Sequence, residues 1–562
     1  MTIKYGNKTY ITDNDLKVVK LGFFPRVDIN DKKLKDFFEE EFGRTFLGGD
    51  ELVAYAQSLV SKGMDFGELE KDILEDVENP DKKHLREIIF SKTATGIGRG
   101  HSLGGLSGVV LGVHGTKMID SGLTGLCSSR SLVTSSRRRE TGLGDIVIPE
   151  SLQKHPELLK EYMQISEEVF NLGKEFKEKF GKMGGVETFN KVIPYNNPAD
   201  LFIVLPLDTL STIVSEVRQD ELNPNGNFVP REIRALANEL FDPITKEVGQ
   251  NIMFKQRIEV PRDTYFHYTV FKDPSLPNYA LSKAKATGMS LEPKVIDFSE
   301  DFDTDFIDGL FDLQLLFAKT KNIKDPRKLH KASLECMYAL KSFSNEYNEA
   351  VRVKIADSLS WRVWSEQKRH ATLRQNVEST YTAVPRASDK IATFWETIEN
   401  AYQNNDFEGI NKIMGELEKD IIIDDRLKKQ KELILPYLYH TAKQLMFYRK
   451  LIDAGFEQRD ALYITPKNIR VRTLEHYDLT NLINLELPLR LCDTCEPERK
   501  ATSWKKRELM AEKLPELEYF LKSKCNVGFC TEGKYCKDIT EMRDYNQELH
   551  KQTKQVMLSE AK

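Results

Sequence analysis

One order of events runs through this chain twice, and that recurrence limits its fold more than any single motif. After Phe90 a loop-like run rich in Gly and Ser, SKTATGIGRGHSLGGLSG, gives way to the apolar VVLGV. A Ser- and Arg-rich segment follows, CSSRSLVTSSRRRE, and then DIVIPESL, which has strand-to-turn character. From Gln153 to Gly181 the residues Leu158, Leu159, Tyr162, Ile165, Val169 and Leu172 recur near one helical face. The strand-like LFIVLPLDTLSTIVSEV leads into a further helix near Arg231 to Leu240. In the second half Tyr338 to Trp364 precedes RHATLRQNVES, AVPR, long helices from Lys390 to Gly455, and LYITPKNIRVRTLEHYDLTNLINLELPLRL. IVLPLD parallels YITPKN and IPES parallels VPRA, in the same order. The expectation is an α+β protein with two diverged copies of one unit, at 85–255 and 326–520. A Pro-rich linker at 256–325 joins them, an acidic helical extension occupies 1–84, and a Cys-containing segment occupies 521–562.

A chain of 562 residues is long enough for two or more cores. With 30% charged and 40% hydrophobic residues it has the balance of a folded, water-soluble protein. A net charge of −5 argues against wholesale nucleic-acid binding. No apolar run approaches the roughly 20 residues of a membrane helix, and MTIKYGNKTYITDND lacks the apolar core of a signal peptide. A cytoplasmic protein with reduced or metal-bound cysteines is therefore expected.

The run KRHATLRQNVESTY places Arg369 beside His370, with Ser379 closing a short polar stretch. A cation and an imidazole side by side can hold two phosphates around a reacting ring. This run resembles the signature of the flavin-dependent thymidylate synthases, Arg-His-Arg followed after seven residues by Ser. The chain departs from it at Ala371, where the second Arg is expected, and at Tyr381, where an Arg that grips the substrate phosphate is expected. The resemblance implies two diverged copies of the flavin-dependent thymidylate synthase fold. It also implies FAD as cofactor, with a reduced nicotinamide (NADPH) and methylenetetrahydrofolate as co-substrates, and dUMP or a related pyrimidine nucleotide as the methyl acceptor.

The same resemblance implies the site residues. Arg369, Arg490 and Ser379 would act in catalysis, with Arg490 in a Leu-Arg-Leu segment that meets the pyrimidine. Ser135, Ser136, Arg137 and Arg138, together with Arg369 and Arg490, would bind the substrate. His101 and Ser102 in the turn after Gly100, with Arg369, His370, Thr372, Asn376, Asp478 and Asn484, would hold the flavin. Each half keeps what the other lacks: the first half has no Arg-His near Gly125-Leu126 but offers SSRRR. Two chains, each carrying two copies, would then rebuild the family's homotetramer, so a homodimer is expected.

Five of the seven cysteines, Cys492, Cys495, Cys525, Cys530 and Cys536, lie in the last part of the chain. Thiolates at this density suit zinc or an iron–sulfur cluster, and the spacing leaves that choice open. Two other functions stay open beside the enzyme. One is a flavin- or nucleotide-binding homologue without chemistry. The other is a metal-stabilised protein associated with nucleic acid.

Overall fold

The computed structural model describes residues 2–47, 68–79, 108–123, 130–133, 143, 146–206, 209, 213, 216–217, 219–248, 270–286, 291–320, 322–368, 372–524 and 555. The chain divides into two compact units. One comprises Met1–Leu276 with Ser379–Ile469, and the other Pro277–Glu378 with Arg470–Lys562. Among the described residues no helix is long and apolar enough to cross a membrane.

The first unit is built on a four-stranded sheet of β1 (Lys17–Phe24), β2 (Gly108–Thr116), β3 (Arg130–Val133) and β4 (Pro198–Pro206). Its order is β1-β2-β4-β3 and all neighbours are antiparallel. Between β1 and β2 come α1 (Lys32–Phe42) and α2 (Leu69–Glu78). The Asp31 carboxylate caps α1 by accepting from the Leu34 amide. The short α3 (Lys117–Leu123) follows β2 directly. The long α4 (Pro156–Val192) precedes β4, and α5 (Arg231–Val248) follows it. The α4 backbone breaks at Gly181, whose φ of 70° suits a residue without Cβ. Val109, Leu111, Val113, Leu201, Ile203 and Leu205 alternate along β2 and β4 into one core with Ile233 and Leu236 of α5. Each such side chain contributes ~1.5–3 kcal/mol when fully buried.

The second unit repeats this plan. Its sheet has β5 (Lys294–Glu300), β6 (Val351–Ser360), β7 (Arg374–Val377) and β8 (Arg470–Asp478), in the order β5-β6-β8-β7 and antiparallel throughout. Helix α6 (Tyr279–Ala286) precedes β5. Helices α7 (Thr304–Thr320) and α8 (Pro326–Glu346) stand between β5 and β6. The short α9 (Trp361–Gln367) follows β6, and α10 (Pro497–Lys513) lies beyond β8. Gly309 lets α7 and α8 approach closely, because a Cβ there would stand 2.5 Å from the Phe343 ring.

The correspondence extends to register. Leu111 of β2 faces Ile203 and Lys20, and Ile355 of β6 faces Glu475 and Val295. One rung along, β1 skips Leu21 in a bulge and β5 skips Ile296 in a bulge. A bulge adds one unpaired residue and local twist, so the two edge strands bend at the same place.

Two sequence expectations are corrected here. The described part of 1–84 is not a helical extension: Lys17–Phe24 is the edge strand of the first sheet, and Thr2–Tyr5 and Lys8–Ile11 form a hairpin. Likewise 256–325 is not simply a linker, because Lys294–Glu300 is the edge strand of the second sheet. Edge strands are half exposed and mix Lys with apolar residues, so their partners lie far away in sequence and local pattern does not reveal them. The parallels drawn between short motifs were also out of register. IPES precedes α4, whereas VPRA lies inside the helix Thr380–Asn404. IVLP ends β4, whereas YITPKN precedes β8.

Candidate functional site

In the second unit α9 ends at Gln367 and β7 begins at Arg374, so the Arg-His run falls between a helix end and an edge strand. Arg369, His370 and Ala371 lie outside the described residues, as do His101, Ser102, Ser135, Ser136, Arg137, Arg138, Cys525, Cys530 and Cys536. The described neighbours are Thr372, whose carbonyl accepts from Asn481 Nδ2 at 3.1 Å, and Asn376, whose Oδ1 meets His476 Nε2 at 3.1 Å. Sequence reasoning missed a basic rung beside them. Arg374, His476 and Lys354 face one another across β7, β8 and β6. Burial first, then the Lys354 and Arg374 charges, hold the His476 imidazole below its ordinary pKa.

Arg490 sits at the end of the short helix Glu486–Arg490, its Nε donating to Glu486 Oε1 at 2.7 Å. Among the described residues its buried Nη2 has no oxygen or nitrogen partner, although the guanidinium also meets the Cys495 thiol. The other expected ligands already have structural tasks. Asp478 caps the helix Leu479–Ile483 by accepting from the Asn481 amide at 2.9 Å and from its side chain at 2.7 Å. The Asn484 amide reaches Ser344 Oγ at 3.4 Å. Arg490 is thus paired with a buried carboxylate, and the Asp478 carboxylate serves as a helix cap.

Ser379, in the first unit, is fully buried. Its hydroxyl donates to the Lys272 carbonyl at 2.6 Å and accepts from the Tyr381 amide, capping the helix Thr380–Asn404. The structure thus gives Ser379 a capping role. Tyr381 is also buried, and its hydroxyl donates to the Phe228 carbonyl. A side chain held this way offers nothing to a phosphate. The first unit further carries an open cavity of about 390 Å³ beside Asn14, Glu150, His155, Arg231, Glu457 and Asp460. There Arg231 is forked by Asp460 at 2.6 and 3.0 Å and bonded to Glu457 at 3.1 Å. Burial, reinforced by the Asp460 charge, pushes the nearby Asp13 carboxyl up to about 7.

The two sheets differ most where helices α5 and α10 cover them. Both helices are anchored alike. Glu232 accepts from the Thr116 amide at 2.9 Å and hydroxyl at 2.5 Å, and Glu498 accepts from the Ser360 amide at 2.7 Å and hydroxyl at 2.9 Å. Beyond the anchor the first unit is apolar, with Val113, Leu123, Ile203, Ile233 and Ala237. The second places Asp357, Gln367, Glu475, Arg499 and Ser503 at the corresponding positions, all buried. Lys506 Nζ stands 2.6 Å from both Asp357 Oδ2 and Glu475 Oε2. Arg499 reaches Glu475 at 3.3 Å and Glu486 at 3.5 Å, and Gln367 donates to Glu475 at 2.7 Å. Burial alone would raise the Glu475 pKa, but the Arg499 and Lys506 charges hold it well below the carboxylate range.

Cys492 and Cys495 share a tight turn, with the Cys495 amide donating to the Cys492 carbonyl at 3.0 Å. Burial pushes the Cys495 thiol up. Among the described residues no group of three or more His, Cys, Asp or Glu is arranged to hold a metal ion.

No protein-family model matches the chain. The flavin-dependent thymidylate synthase of Pyrococcus furiosus is 28% identical over 97 residues, which is 17% of this chain and 39% of that protein. The enzyme of the same name from Pyrococcus abyssi is 27% identical over 122 residues, 21% of this chain and 49% of that protein. This chain is a distant relative of the flavin-dependent thymidylate synthases. It spans about half the length, or less, of the curated relatives it matches. Among solved structures, the UMP/dUMP methylase PolB from Streptomyces cacaoi, bound with 5-Br dUMP, is 13% identical with a TM-score of 0.31, over 45% of this chain and 99% of that one. Thymidylate synthase X from Helicobacter pylori, with FAD and dUMP, is 13% identical with a TM-score of 0.26, over 43% and 100%.

Proposed function

We propose that this chain is an internally duplicated enzyme of the flavin-dependent thymidylate synthase type, which reductively methylates dUMP or a related pyrimidine nucleotide. The observation that carries the duplication is the shared strand order, register and bulge position of the two sheets. A second correspondence supports it within the first unit. Tyr162 Oη donates to the Val147 carbonyl and Tyr437 Oη to the Ile422 carbonyl, and both carbonyls lie fifteen residues upstream. The Val147 amide in turn donates to Asn196 and the Ile422 amide to Asn468.

The offset between the paired strands supports a sequence count for the substrate residues. Val133 pairs with Leu201 and Val377 with Thr473 on corresponding rungs. Counting on in sequence, Ser135 corresponds to Ser379 and Arg137 to Tyr381. With Tyr381 turned inward, phosphate binding falls to Arg137 and Arg138, with Ser135 and Ser136 beside them. Arg369, His370, Thr372 and Asn376, with His101 and Ser102, hold FAD. FAD, reduced by NADPH, supplies the reducing equivalents, and methylenetetrahydrofolate supplies the one-carbon unit. The protein's part is to bind phosphates with Arg forks, to orient the ring, and to stabilise negative charge on it with Arg490. The working protein is a homodimer, with zinc or an iron–sulfur cluster at Cys492, Cys495, Cys525, Cys530 and Cys536.

One set of observations favours a second reading, a binding homologue without chemistry. Ala371 and Tyr381 depart from the family pattern, and the Ser379 hydroxyl is committed to capping. Reconstitution with FAD followed by tritium release from C5-labelled dUMP separates the two. Flavin binding with tritium release supports the enzyme, and flavin binding without release supports the binding homologue.

A further inference from the structure

Helices α7 and α8 bury one face and leave an apolar stripe on the other. Phe306, Leu310, Leu313 and Phe317 of α7 and Cys336 and Leu340 of α8 face the core. On the outer side Ile307, Phe311 and Leu315 recur every four residues along α7, and Leu334, Met337 and Tyr338 stand on α8. Phe311 is 60% exposed and Tyr338 69%. Together the six expose on the order of 500 Å² of side-chain surface, within the ~300–600 Å² of a monomer's largest patch, which is often functional.

The corresponding helices of the first half show that this plan does not require such a stripe. The outer side of α1 carries Lys32, Lys33, Lys35, Asp36, Glu39 and Glu40, and α2 exposes Lys71, Glu75 and Glu78. Among the described residues of these helix pairs, the exposed apolar stripe stands on the second copy.

The flanking charges identify the occupant. The stripe on α7 is bordered by exposed Asp305, Asp308 and Asp312, with Lys319 near its end, and that on α8 by exposed Lys328, Lys331 and Lys341, with Glu335 and Glu346 among them. The exposed charges of α7 are on balance acidic and those of α8 on balance basic. A surface of this kind is complementary to itself when turned about a twofold axis, with α7 of one copy against α8 of the other. Two such pairs form a four-helix layer, and the stripe with its charged rim approaches the ~800 Å² per partner of a standard interface.

We propose that the outer face of α7 and α8 is a self-association surface whose partner is a second copy of this chain. The inference stands apart from the nucleotide reading, and it locates the dimer contact that reading leaves unplaced. Sedimentation of the full chain should give a dimer, and Phe311→Glu with Tyr338→Glu should give a monomer with unchanged circular dichroism and unchanged FAD retention. Asp308→Lys with Asp312→Lys should weaken the dimer at least tenfold, and adding Lys331→Glu with Lys341→Glu should restore it. A Phe311→Glu/Tyr338→Glu protein that keeps the wild-type dimer mass would overturn the surface while leaving a dimer in place. A monomeric wild type, with the stripe protected from hydrogen exchange by the chain's own C-terminal segment, would overturn both.

Discussion

Tyr162 and Tyr437 make the same hydrogen bond in two different stretches of the chain, each to a backbone carbonyl fifteen residues upstream. Both side chains are fully buried, and the carbonyls they satisfy belong to short segments that have no place in either four-stranded sheet. Equal geometry predicts equal cost. Tyr162→Phe and Tyr437→Phe should each lose ~1–3 kcal/mol, because each leaves a buried carbonyl without its donor. Urea unfolding of the two variants checks this. A loss confined to one of them would show that the resemblance of the two bonds is superficial.

The ionic core of the second unit should respond to single and multiple substitutions in opposite ways. Lys506→Met leaves Asp357 and Glu475 facing each other across a buried gap and should cost ~3–5 kcal/mol. Replacing the whole set by its first-unit counterparts should cost less than that single change. That variant carries Asp357→Val, Gln367→Leu, Glu475→Ile, Arg499→Ile and Lys506→Leu. Comparing the two unfolding midpoints tests whether the charges substitute for an apolar core.

Buried carboxylates in the two units should respond to pH in opposite directions. Glu475 is held below its usual value of 4.5, so its contribution is present above that pH and is lost as pH falls towards the depressed value. Asp13 is raised from 3.8 to about 7 and Glu232 from 4.5 to about 8, chiefly by burial. At these two groups the folded first unit binds more protons than the unfolded chain, so the stability they contribute falls as pH rises from about 4 to 8. His440 and Asp424 of the same unit, held below their usual values, act in the opposite sense. Hydrogen exchange at pH 5 and pH 8 should show the first unit opening more readily at pH 8. Asp13→Asn should remove part of that difference, and identical profiles in wild type and variant would refute it.

Arg490 should matter to ligand as well as to fold, since it pairs with the buried Glu486 and is the expected contact with the pyrimidine. Arg490→Ala should weaken dUMP binding by ~10–100-fold, the value of a hydrogen bond to a charged group. Tyr381→Phe should leave nucleotide affinity unchanged and cost stability, because its hydroxyl serves the Phe228 carbonyl.

What could be read from the sequence followed the range of the forces involved. The helix beginning near Gln153 was legible because Leu159, Tyr162, Ile165, Val169 and Leu172 repeat with helical period, and they are buried as that period requires. The edge strands β1 and β5 were not, because their pairing with β2 and β6 spans distant sequence. The ionic core was hidden for another reason. Arg499, Ser503 and Lys506 fall on one helical face and read as a solvated stripe, and only the fold brings Asp357 and Glu475 beneath them. Ser379 was singled out as a polar residue closing a motif, and its burial against Lys272 depends on a contact more than a hundred residues away.

Calorimetric titration of dUMP into the FAD-reconstituted chain tests the duplicated-enzyme account most directly. Because each half lacks elements that the other keeps, the account predicts one nucleotide per chain, with binding lost in Arg369→Ala and also in Arg137→Ala/Arg138→Ala. Two nucleotides per chain, or undiminished binding in either variant, would contradict it.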